Sequence, residues 1–153
     1  MDLDDLYQEI IFEHYKQPKN QGSLEDADVV IEGRNPFCGD EIKLMLKIKN
    51  GLVEDVKFSG SGCAISQSSA SVMTEQIKGK SIKEIQELFK DFSIMVRGED
   101  DSHSHIDDTS ELAAFQGISA FPTRVKCAML AWNAMKEGIE RELKKHGEDD
   151  ADS

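Results

Sequence analysis

Asn50-Gly51 narrows the choice of fold more than any other pair in this chain. Residues 41–49 before it alternate, with Ile42, Leu44, Leu46 and Ile48 on one face and Lys43, Lys47 and Lys49 on the other. Residues 52–59 after it place Val56 and Phe58 on one face. Asn-Gly between two such runs predicts a β-hairpin with a two-residue turn, because both residues tolerate the positive φ that this turn needs. Residues 29–33 form a short apolar run and predict one more strand. A hairpin brings the chain back to the end at which it started. The stretch before residue 41 and the stretch after residue 59 therefore meet at one end of the sheet.

Those two stretches are Asn35-Pro36-Phe37-Cys38-Gly39-Asp40 and Gly60-Ser61-Gly62-Cys63-Ala64-Ile65-Ser66. A third, Phe121-Pro122-Thr123-Arg124-Val125-Lys126-Cys127, carries the last of the three cysteines. Three thiols and the Asp40 carboxylate make a tetrahedral donor set for zinc, which accepts cysteine sulfur and carboxylate oxygen alike. The odd cysteine count fits metal ligands or thiols better than disulfides. Gly39, Gly60 and Gly62 permit tight turns beside the cysteines. Cys63 precedes an expected helix and Cys127 lies early in another, so helix N-termini would favour their thiolate forms. Arg124, about one turn before Cys127, is a candidate electrostatic assistant for an anionic sulfur.

Competing readings stay open at this level. A buried structural cysteine is common, and Cys-Gly-Asp alone is a weak signal. Gly60-Ser61-Gly62 lacks the Lys-Ser/Thr of a phosphate loop. His103 and His105 are metal-capable, but they fall in an acidic stretch where rigid placement is not expected.

The remaining elements follow from periodicity and caps. Leu3, Leu6, Tyr7, Ile10, Ile11 and Tyr15 mark one face of a first helix, with Asp2 as N-cap and Pro18 beyond its end. A serine-rich helix is expected over 64–78, ending at Gly79. Its serines lower intrinsic propensity, so tertiary contacts must hold it. Ser81 and Glu84 form a capping box for a third helix with Ile82, Ile85, Leu88, Phe89 and Phe92 on its face. Residues 97–111 read as an exposed acidic loop. Thr109 or Ser110 caps a short helix to residue 115, and 116–121 read as irregular. Pro122 opens the last helix, with Val125, Ala128, Trp132, Met135, Ile139 and Leu143 as its buried stripe. The expectation is one domain over 1–145 and an acidic disordered tail over 146–153.

A net charge of -12 argues against nucleic-acid binding. No apolar run is long enough for a membrane span, and the N-terminus is not that of a signal peptide. A cytoplasmic monomer is expected.

At these motifs the chain resembles the U-type iron–sulfur cluster assembly family, the IscU/NifU N-terminal superfamily, and within it the SufU branch. The resemblance covers the chain from the first helix to the last. It rests on His14-Tyr15-Lys16-Gln17-Pro18-Lys19-Asn20-Gln21-Gly22, on the three cysteine motifs in order, and on Ser69-Ala70-Ser71, Leu130 and Trp132. Two features point to SufU. Lys126 stands where IscU-type scaffolds carry a histidine before the third cysteine, and residues 99–117 look like the branch's insertion. The resemblance implies an α+β fold, SufE/IscU-like, with a small antiparallel three-stranded sheet packed against helices. It implies Zn2+ held by Cys38, Asp40, Cys63 and Cys127, with Cys38 as persulfide acceptor. It also implies a sulfurtransferase-like role beside a pyridoxal-phosphate cysteine desulfurase of SufS type, whose histidine displaces Cys38 from the zinc. A downstream iron–sulfur assembly complex would receive the sulfur. The alternatives are a scaffold carrying a transient [2Fe-2S] cluster on the same thiols and a structural zinc-binding interaction domain.

Overall fold

The computed structural model describes residues 2–36, 39–99 and 105–151, with the backbone alone for 146–151. Cys38 and His103 lie outside the described residues. The chain folds as α1 (Leu3–Lys16), β1 (Val29–Asn35), β2 (Asp40–Lys49), β3 (Leu52–Ser61), α2 (Ala64–Ile77), α3 (Ile82–Arg97), a 3₁₀ helix (Glu111–Ala120) and α4 (Pro122–Ala151).

The three strands form an antiparallel sheet in the order β1-β2-β3, and with the helices this is the α+β architecture expected from the sequence. The hairpin turn has φ of 55° at Asn50 and 75° at Gly51, which is the pair of positive values that a type I′ turn requires. Leu44 faces Phe58 and Leu46 faces Val56 across β2 and β3, and all four side chains are buried. Both ladders run further than the hydrophobic alternation indicated. Asn35 pairs with Asp40, and Glu41 pairs with Ser61. The candidate ligand positions thus begin where the sheet's hydrogen bonding ends.

α2 is the centre of the molecule. It is buried continuously from Ser66 to Thr74, so that stretch has no solvent face and no amphipathic signal. Its serines are small enough for neighbours to pack close, and each hydroxyl is used. Ser69 Oγ donates to the Ala128 carbonyl of α4 at 2.7 Å and accepts from Trp132 Nε1 at 3.1 Å. Ser68 Oγ donates to the Ala64 carbonyl, and Ser66 Oγ to that of Cys63. Burying an indole N–H without an acceptor would cost about 1–3 kcal/mol, so Ser69 holds α2 and α4 in register. Trp132 stacks on Phe92 of α3, centroids 4.2 Å apart, and Phe115 meets Phe92 edge-on.

All three expected N-caps are present, the third at Ser110, whose Oγ accepts from Leu112 N–H. Asp2 Oδ1 accepts from Asp5 N–H, and Ser81 with Glu84 completes the capping box. Four expectations need correction. In α1 the buried positions are Tyr7 and His14, while Leu3, Leu6 and Tyr15 are exposed. A polar residue occupies the last buried step of the stripe, which hydrophobicity alone does not register. α3 continues as helix to Arg97. Residues 111–120 form one 3₁₀ helix, with Leu112, Ala113, Ala114, Phe115 and Ile118 buried; the apolar side chains beyond Ser110 cover α3 and the end of α1. In α4, Leu143 is exposed, because the helix has passed the edge of the core there. The α4 backbone is helical to Ala151.

Candidate metal and sulfur site

Asp40 opens β2, Cys63 follows β3 and Cys127 lies in the second turn of α4. One ligating atom from each lies within 4.8 Å of the others. The hairpin aligns the first two, and the α2–α4 packing through Ser69 brings the third. Asp40 is 1% exposed and Cys127 2% exposed, whereas Cys63 is part-exposed.

The local geometry is built from backbone donors. Cys63 N–H donates to Asp40 Oδ1 at 2.8 Å, and Cys63 Sγ lies 3.9 Å from Asp40 Oδ2. Cys63 is itself the N-cap of α2, its sulfur receiving Ser66 N–H at 3.5 Å. A helix N-terminus therefore addresses this sulfur directly. Asn35 Nδ2, on a buried side chain, lies 3.6 Å from Cys127 Sγ and donates to it. Gly62 has φ of +150°, and a Cβ there would overlap the Asp40 carboxylate and crowd Ser66 Oγ. A Cβ at Gly60 would overlap the Glu41 carbonyl. These glycines let two chain segments touch where the ligating groups meet.

This donor set fits a zinc ion. Two sulfurs on one tetrahedral zinc sit ~3.8 Å apart, as follows from Zn–S bonds of about 2.3 Å, and the observed groups need only a small contraction. The sulfurs receive N–H groups from outside the cluster, and such contacts from beyond the donor set orient metal ligands.

Of the four expected ligands Cys38, Asp40, Cys63 and Cys127, the last three lie together, and Cys38 is outside the described residues. Sequence reasoning gave no role to Asn35 or Ser66. A cysteine immediately before a helix is the signal that could have found the Ser66 N–H; the Asn35 contact depends on strand register and had none. Arg124 is exposed, with its guanidinium over the Phe121 ring at 4.5 Å. Lys126 is exposed beside buried Cys127. His105 is also exposed. Among the described residues, no helix is long and apolar enough to cross a membrane.

A three-stranded antiparallel sheet whose one end, with two helix starts, gathers a carboxylate and two thiols makes this a small α+β domain with a candidate metal site. The chain belongs to the NifU-like N-terminal domain family, whose pattern matches residues 6–128. It is 46% identical over 140 residues to a zinc-dependent sulfurtransferase, SufU, of Bacillus subtilis, covering 92% of this chain and 93% of that one. It is 41% identical over 136 residues to an iron–sulfur cluster assembly scaffold protein, IscU, of Thermotoga maritima, covering 89% and 94%. A crystal structure from Fervidobacterium islandicum, named as a candidate iron–sulfur cluster assembly scaffold protein for the SUF system, superposes with a TM-score of 0.79 at 37% identity, covering 86% of this chain and 94% of that one.

Proposed function

We propose that this protein is a zinc-holding sulfur acceptor in iron–sulfur cluster assembly. It takes persulfide sulfur from a pyridoxal-phosphate cysteine desulfurase of SufS type and passes it to a downstream assembly complex. The observation that carries this reading is the convergence of Asp40, Cys63 and Cys127, beside Lys126 in place of a nitrogen donor. Similarity to the Bacillus subtilis sulfurtransferase supports it.

Zinc would be held by Asp40, Cys63 and Cys127 with Cys38 as the fourth ligand, and when bound it keeps cysteine sulfur deprotonated without redox chemistry. The protein's own residues divide the remaining work. Cys63 and Cys127 are held by a helix cap and by core packing, so they serve as fixed ligands. Asp40, anchored by Cys63 N–H, fixes the end of the hairpin. Cys38 is the acceptor. Its thiolate attacks the terminal sulfur of the desulfurase persulfide, a new S–S bond forms on Cys38, and the desulfurase cysteine departs as thiolate. Arg124, exposed and one turn before Cys127, is the electrostatic assistant of this anionic exchange in this reading. The protein works as a cytoplasmic monomer in this reading.

A second reading, a cluster scaffold, is favoured by the likeness to the Thermotoga maritima IscU. Metal analysis of anaerobically purified protein separates the two. A colourless protein with zinc on its thiols that stimulates a cysteine desulfurase supports sulfur transfer. Bound iron with a visible absorption band, and no stimulation, supports the scaffold.

A further inference from the structure

α2 carries a second convergence of ligating groups in its C-terminal half. His14 of α1, Glu75 of α2 and Glu111 at the start of the 3₁₀ helix each place one ligating atom within 4.8 Å of the others. His14 is 5% exposed, and Glu75 and Glu111 are 38% and 45% exposed. His14 Nε2 lies 2.5 Å from Glu111 Oε2 and 3.6 Å from Glu75 Oε1. Its Nδ1 lies 2.7 Å from Ser71 Oγ, which also accepts Lys19 N–H at 2.7 Å.

This is how metal-binding histidines are commonly set: one ring nitrogen faces the carboxylates and the other is fixed by an oxygen that orients the ring. The group opens into a cavity of about 760 Å³ whose walls also carry Glu9, Glu13, Lys16 and Lys19. Four glutamates against two lysines leave that cavity with a net charge of -2 when His14 is neutral. A proton on Nε2 neutralises at most one of the two carboxylates beside it; a divalent cation neutralises both. The carboxylates are exposed enough to move outward to the ~3 Å spacing of ligand atoms around one ion, given metal–ligand bonds of about 2.0–2.2 Å.

We propose that His14, Glu75 and Glu111 bind a first-row divalent transition cation at a site separate from the thiols. One imidazole and two carboxylates suit zinc, ferrous iron, cobalt or manganese and disfavour the copper(I) that sulfur would select. Cys63 and Glu75 stand at opposite ends of α2, about 18 Å apart along the helix at 1.5 Å per residue, so the two sites share no ligand.

The test is cobalt(II) titration of the full chain, followed by equilibrium dialysis and by absorption. Thiolate-bound cobalt gives an intense near-ultraviolet charge-transfer band, and a nitrogen–oxygen site gives weak d–d bands alone. Wild type should bind two cobalt ions per chain. Glu75→Gln with Glu111→Gln, isosteric and on exposed side chains, should weaken one of them at least tenfold and keep the charge-transfer band. Cys63→Ser with Cys127→Ser should lose that band and keep the other ion. Equal cobalt binding by wild type and the double glutamine variant overturns the proposal, whatever the thiols do. Loss of the charge-transfer band from wild type with the glutamate-dependent ion retained counts against the thiol site and supports this one.

Discussion

The two ends of α2 gather ligating side chains in opposite ways. At its N-terminus, Asp40 and Cys127 are almost fully buried, the sulfurs receive N–H groups, and two glycines admit the chain. In its C-terminal half a buried histidine meets two exposed glutamates at the wall of an open cavity. The first cluster is part of the core, so whatever binds it is linked to folding. The second lies on the surface, so its carboxylates can be exchanged for amides without disturbing packing.

The sharpest contrast should come from ligand removal. Cys63→Ser or Cys127→Ser should abolish zinc binding at the thiol site and lower stability by about 4 kcal/mol when zinc stands near 1,000 times its dissociation constant there. Chelating the wild type should reproduce that loss, read as the shift between denaturant melts with and without chelator. Asp40→Ala should loosen the zinc without emptying the site, because the carboxylate is the hardest of the donors.

Gly62→Ala should cost roughly 3 kcal/mol in chelated protein as well, since its Cβ meets the Asp40 carboxylate at a positive φ that alanine resists. Chemical denaturation of the metal-free variant measures this. A neutral outcome would mean that the end of β3 is softer than its register indicates.

Ser69→Ala tests the link between α2 and α4. It leaves Trp132 Nε1 without its acceptor and should cost about 1–3 kcal/mol. Because the same packing sets Cys127, zinc affinity should fall with it, as read by competition with a chromophoric chelator. Ser81→Ala, at the cap of α3, should cost about 1 kcal/mol and leave zinc affinity unchanged. Glu75→Gln, at the other end of α2, should stay within about 0.5 kcal/mol by thermal melt.

These contrasts also mark what the sequence could disclose. Asn50-Gly51, the Ser81/Glu84 box and Pro122 carry their structure in neighbouring residues, and each appears where local chemistry puts it. The thiol cluster was legible because the hairpin converts sequence order into spatial order. α2 hid its importance, since nine consecutive buried residues, Ser66 to Thr74, leave no apolar stripe to find. His14 was hidden for the same reason in reverse: a buried histidine does not count toward a hydrophobic face. Its partners Ser71 and Glu111 lie 57 and 97 positions away, so no spacing announces them. The apolar 3₁₀ run 111–120 was legible in composition, but its burial depends on Phe92 and Trp132.

The central claim is that sulfur is received on Cys38 while the helix-anchored thiols remain ligands. Mass spectrometry after incubation with a cysteine desulfurase and cysteine tests it most directly. A gain of about 32 Da, the mass of one sulfur, should map to Cys38 in wild type, fall away in Cys38→Ser while that variant stays folded and still binds the desulfurase, and weaken in Arg124→Ala with zinc retained. Sulfur on Cys127, with Cys38→Ser still fully loaded, would contradict the account.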